Sequence, residues 1–186
     1  MVCEGRGQSC GTGRRQVTLL ASAPDWLVII LLSLLLLAAL QDGWKLQISD
    51  WLSGAIAIGA LFAVVLEGPV LSLWQNFLLF AAVLAVGTFA FGRGWMGGGD
   101  IKLLAAASLW FNLSDGWKLL VAIAIAGGIE AILILIARRL PWSQGIRDRA
   151  LLLRRGGPIP YGIAIALGVA LMGWWLRIWN TPFIHF

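Results

Sequence analysis

A chain of 186 residues that is 60% hydrophobic and only 12% charged, with a mean hydropathy of +0.87, is not an ordinary soluble domain, where about 25% of residues are charged. Its net charge of +5 at pH 7 does not point to nucleic acid, because the Lys and Arg residues lie between apolar runs, where they set orientation and meet lipid headgroups. Repeated apolar runs joined by short polar loops predict an all-α fold, a polytopic membrane helical bundle in one domain, since a backbone in lipid must satisfy its hydrogen bonds internally.

The chain opens on a polar leader, residues 1–20, expected to be disordered, with the membrane domain taking 21–186. The leader's basic start looks like a signal peptide, but the first apolar run leads into further membrane segments, so cleavage is not expected. Cys3 and Cys10 have no CxxC spacing and support neither a zinc site nor a disulfide framework. About six transmembrane helices follow, near Trp26–Leu40, Trp51–Leu66, Leu73–Phe91, Ile101–Leu113, Leu119–Ala137 and Tyr161–Trp179. A hydrocarbon core of about 30 Å takes roughly 20 helical residues, so the first and fourth are thinned, flanked by interfacial residues, or partly re-entrant. Glu67-Gly68-Pro69 is a turn signal. Trp26, Trp44, Trp51, Trp95, Trp117, Trp174, Trp175 and Trp179 fall near span ends and fit an interfacial belt.

Arg138 to Arg155 holds six Arg among Pro, Ser, Gln and Gly, and reads as a cytoplasmic loop. Counting back through six spans puts loops 41–50 and 92–100 on that same side, with both termini outside. Nine basic residues then face in and five face out.

Two acids stand out by position: Asp42 after the first span, and Asp100 before the fourth, after Gly97-Gly98-Gly99. Two crossings separate them, so both lie at one membrane face. Close carboxylates cannot both ionise cheaply; sharing a proton, one acts as base toward water while the other polarises a carbonyl. Such a pair hydrolyses peptides with no metal and no cofactor, and neither is expected here. Glycines beside it allow close backbone approach. Taken singly, each acid has a plainer reading: Asp100 as a helix N-terminal acid, Asp42 as an interfacial residue.

GGGDIKLLAA, Gly97 to Ala106, resembles the GxGDxKL signature of type IV prepilin peptidases, a family of aspartyl peptidases. DGWKLQISD, Asp42 to Asp50, resembles the family's other aspartate site, with Asp50 where Asn is usual. PIPYGIAIALG, Pro158 to Gly168, resembles the segment opening the last helix. The resemblance covers nearly all of residues 25–180. It implies Asp42 and Asp100 as catalytic, Gly97 and Gly99 as backbone-shaping motif residues, and Lys102 as a motif residue that can also snorkel to headgroups. It further implies removal of the leader from a prepilin-like protein substrate, after a Gly that precedes its hydrophobic helix, at the cytoplasmic face of a prokaryotic inner membrane. Large family members add an N-terminal region with paired CxxC motifs and methylate the product. The chain looks like the short, peptidase-only form found in tight-adherence pilus systems, and methyltransferase activity is not expected.

The partners expected are this substrate and the lipid bilayer, with no nucleic acid; the oligomeric state is not readable. Presenilin-like peptidases also use a glycine-aspartate motif, but none of the six prolines here is followed by Ala-Leu. The alternative from another class is a non-catalytic membrane scaffold or transport component of a pilus or secretion system. Glu130, inside the fifth span, is neutral, paired or facing a wet cavity, and a structural hydrogen bond is the expected role. His185 belongs to the tail.

Overall fold

The structure is a computed structural model that describes residues 18–45, 47–68, 73–139 and 160–180, with side chains through Ile178. Among the described residues all regular structure is helical: α1 (Leu19–Ser22), α2 (Asp25–Lys45), α3 (Asp50–Glu67), α4 (Trp74–Gly92), α5 (Gly98–Ser108), α6 (Leu113–Arg139) and α7 (Tyr161–Asn180). Five of these, α2, α3, α4, α6 and α7, are long and apolar enough to cross a membrane. Their outer faces carry exposed Ile29, Leu36, Ile58, Val65, Val86 and Ile132, a continuous apolar surface that water would not tolerate and lipid requires. The seven described tryptophans of the expected belt are all at least half exposed; the Trp179 side chain lies outside the described residues.

The fourth predicted span is corrected by the structure. Its helix, α5, has eleven residues, which rise only about 16 Å. It is an interior element packed on α3, α4 and α7, with Ile101, Leu103 and residues 105–108 buried. A helix that stops inside an apolar bundle leaves its last carbonyls without partners, at a cost of several kcal/mol each in lipid. Here they are taken up locally. Ser108 Oγ donates to the Ala105 carbonyl at 2.7 Å, and the Trp110 and Phe111 N–H groups donate to Ala107 and Ser108. In the turn beyond, buried Asn76 on α4 donates to the Leu109 carbonyl at 2.9 Å, and the Leu20 N–H of α1 donates to the Trp110 carbonyl at 3.1 Å. Trp110 is itself fully buried, its indole N–H donating to Ile56 on α3 at 3.2 Å.

Short α5 is thus completed by α1. Residues 1–17 of the expected leader lie outside the described residues, while Leu19 and Leu20 are buried in α1, which packs on α3 and α7.

Polar contacts sort the helix ends into two groups. At one end Thr18 Oγ1 donates to Asp115 at 2.6 Å, Asn112 Oδ1 accepts the Asp115 N–H as an N-terminal cap of α6, and Arg177 on α7 pairs with Asp25 on α2. At the other end lie the last turn of α2 and the first turns of α3, α5 and α7. The chain therefore traverses the bundle through α5 although that helix is short, and segments 41–50 and 92–100 share one end, as the two-crossing argument requires. The arginine-rich loop beyond Arg139 lies outside the described residues.

Candidate active site

α2 continues past the predicted span end at Leu40 to Lys45, so Asp42 sits inside its last turn, only 3% exposed. An acid there opposes the helix macrodipole, whose C-terminal end is negative. Compensation comes from α7, which begins at Tyr161 and presents unpaired N–H groups in its first turn. The Gly162 N–H donates to Asp42 Oδ2 at 2.7 Å, in a buried bond spanning 120 residues of sequence. Only glycine fits: a Cβ on residue 162 would stand 2.8 Å from Asp42 Oδ2, 3.0 Å from Asp42 Cβ and 3.1 Å from Ile48 Cδ1.

Asp100 occupies the third residue of α5, outside the spanning helices, and Gly97 is that helix's N-terminal boundary, its backbone extended. Burial, and then the neighbouring Asp42, push the Asp100 carboxyl up to about 7, against the opposing pull of the Gly97 N–H. Asp42, Asp100, Gly97, Gly98, Gly99 and Ile48 line one cavity of about 440 Å³, with Gln47 and Asp50 completing its wall. Gly99 is needed for close approach, since its Cβ would meet the Ile48 carbonyl oxygen and Cβ at 3.2 Å. Ile48 thus wedges between Gly99 on α5, the helix that carries Asp100, and Gly162 on α7, whose N–H holds Asp42 of α2.

Lys102 and Asp50 are paired with each other. The Lys102 Nζ stands 2.8 Å from Asp50 Oδ2, both side chains more than half exposed, joining the first turns of α3 and α5 at the cavity's rim. Asp50 is therefore a rim acid, separate from the two deeper ones. The loop before α3 is held by Gln41, whose Nε2 donates to Ser49 Oγ at 2.6 Å and whose Oε1 accepts the Ser49 N–H at 3.3 Å.

Glu130 on α6 lies within electrostatic reach of both Asp42 and Asp100. The hydrogen bond expected for it is not formed: neither carboxyl oxygen has a partner among the described residues, and the Ala164 N–H on α7 approaches without meeting hydrogen-bond geometry. Ile48, Ser49 and Gly162 fall within the family-like stretches DGWKLQISD and PIPYGIAIALG, but the sequence did not disclose their contacts: Gly162 meets Asp42 and Ile48 only after α7 folds back, and Gln41 meets Ser49 only across the turn between α2 and α3. Among the described residues no group of three or more His, Cys, Asp or Glu is placed to hold a metal ion. Cys3, Cys10 and His185 lie outside the described residues.

A model of the Type IV leader peptidase family matches residues 29–137, more than half of the chain and a stretch that contains Asp42, Asp100 and the glycines between α4 and α5. The chain is 32% identical over 158 residues to the Prepilin leader peptidase/N-methyltransferase of Pseudomonas aeruginosa. That alignment takes in 84% of this chain and 42% of the relative, so the chain spans less than half the length of the curated relative it matches. No solved structure matches it.

Proposed function

The chain belongs to the type IV leader peptidase family, and we propose that it is an aspartic endopeptidase that removes the leader from type IV prepilin-like proteins at the cytoplasmic face of the plasma membrane. The observation that carries this reading is the meeting of Asp42 and Asp100, from two helices, in one cavity walled by three glycines. With its carboxyl pushed up to about 7, Asp100 retains its proton in a substantial fraction of molecules at neutral pH, where an ordinary carboxyl has lost it. It donates toward the scissile carbonyl oxygen, while Asp42 takes a proton from the attacking water. The carbonyl carbon becomes tetrahedral, the C–N bond then breaks as the carbonyl reforms and returns its proton to Asp100, and the proton collected by Asp42 leaves on the amine. Water has supplied the hydroxyl of the new carboxyl group and the hydrogen of the new amine.

Gly97, Gly98 and Gly99 add no side chains to the cavity wall, which leaves room for an extended substrate backbone. The cytoplasmic orientation draws on charge: among the described residues Lys45, Arg93, Lys102, Arg138 and Arg139 lie at the aspartate end, against Lys118 and Arg177 at the other.

Co-expression with a prepilin-like protein and immunoblotting tests the assignment. Asp42→Asn and Asp100→Asn should each reduce processing by roughly 10³-fold or more, since members of a catalytic unit fail together, while the variants still insert in the membrane. Processing by either variant at the wild-type level would return the chain to the scaffold reading.

A further inference from the structure

Two helices close on the first turn of α7. From one side α2 brings Asp42, which accepts the Gly162 N–H. From the other comes α6, and small residues fix the register of that contact. A Cβ on Gly168 of α7 would stand 3.2 Å from the backbone N and Cα of Ile123 on α6, and a Cβ on Gly127 of α6 would stand 3.5 Å from Ala164 Cβ and 4.0 Å from Tyr161 Cδ1. Four residues forward along α6 are four residues back along α7, so the two helices run antiparallel. Ile123, Gly127 and Glu130 follow one another at spacings of four and three, which keeps all three on one helix face. The same register carries Glu130 to the start of α7. Its two carboxyl oxygens are shielded, have no hydrogen-bond partner among the described residues and face the Ala164 N–H.

Resting on the proposed peptidase activity, we infer that Glu130 is a positioning residue for the reaction: from α6 it fixes the first turn of α7 and, through the Gly162 N–H, the Asp42 carboxyl. A helix start carries partial positive charge and N–H groups without carbonyl partners, so an acid set against it restrains where it lies. Asp42 draws that turn toward α2, and Glu130 draws it toward α6. A buried carboxyl whose oxygens form no hydrogen bond is costly. Stability gives no reason for one at a contact otherwise made by Ile123, Gly127, Ala164 and Gly168, whereas a place beside the turn that holds Asp42 does. With its oxygens shielded, Glu130 touches neither the substrate nor the attacking water, and its effect passes through α7.

Processing of a prepilin-like protein by the full chain in detergent, followed in single-turnover and steady-state form, tests this role. Glu130→Met keeps the unbranched shape and should lower kcat by roughly 10–100-fold, the scale of a misplacement of about 1 Å, with KM within about twofold of the wild type. Its thermal midpoint should not fall, because an apolar group replaces a buried carboxyl that has no partner. Glu130→Gln keeps a carbonyl acceptor and should recover most of the rate. Gly162→Ala already displaces Asp42, so adding Glu130→Met to it should cost less than about threefold more in kcat, where independent sites would multiply their losses. Wild-type kcat in Glu130→Met, whether its midpoint falls or holds, marks a residue without a part in the reaction and overturns the positioning role. So does a raised KM with kcat unchanged, a Glu130→Gln variant as slow as Glu130→Met, or multiplied losses in the double variant. Each of these outcomes leaves the peptidase reading standing. If the wild type cuts no prepilin-like protein, the peptidase reading fails and the positioning role fails with it.

Discussion

Asp42 occupies a position that helix electrostatics disfavours, and the bundle accommodates it through one backbone N–H, that of Gly162. Gly162→Ala should therefore displace Asp42 without preventing insertion, and lower kcat by roughly 10–100-fold, the scale of a misplacement of about 1 Å; single-turnover processing would measure it. Asp100 provides a separate test against its plainer role as a helix-end acid. Its folded carboxyl titrates near 7 while an unfolded one titrates near the ordinary 3.8, so the folded state holds the extra proton between those values. Stability is thus favoured at acid pH and lost as pH rises through about 7. Asp100→Asn removes that loss, so its thermal midpoint in detergent should exceed the wild type's by a few degrees at pH 8 and match it near pH 4. A residue serving only the helix dipole would give the opposite sign at pH 8. Asp50→Asn should retain most processing, because Asp50 is an exposed rim residue paired with Lys102. Both deep acids stood out in the sequence, since a carboxylate at the edge of an apolar run is conspicuous. Gly162 did not, because nothing local separates a glycine that meets an aspartate 120 positions away from one that merely starts a helix.

At the scale of elements, the apolar runs located the six longer described helices, missed α1 and overread α5. Ile101 to Leu113 is apolar because it is buried in protein, and hydropathy does not distinguish that from burial in lipid. What identifies it as interior is the polar provision for its end: Asn76, the Ser108 hydroxyl, and α1 reaching in from the stretch assigned to the leader. Asn76→Leu keeps the branching of the side chain and leaves the Leu109 carbonyl without its donor, so it should destabilise by about 1–3 kcal/mol, read as a lowered thermal midpoint in detergent. Lys102→Ala should change stability by less than about 1 kcal/mol, since its ion pair with Asp50 is solvent-exposed.

For the whole molecule, two consecutive spans between two acids require them to share a face, and this counting argument was legible before any coordinates. It survives the shortening of α5 because the two crossings it counts are α3 and α4, both long and apolar enough to span. The absolute orientation rests on the five basic side chains at the aspartate end, and a single cysteine at Arg139 should react with an impermeant reagent only after the membrane is opened from the cytoplasmic side. The catalytic claim is tested most directly by mass spectrometry of a prepilin-like protein co-expressed with the wild type or with Asp100→Asn. The expected result is a mature pilin cut just before its hydrophobic segment with the wild type, and the intact precursor with the variant. The same mature mass from both would contradict the Asp42–Asp100 pair as the agent of cleavage.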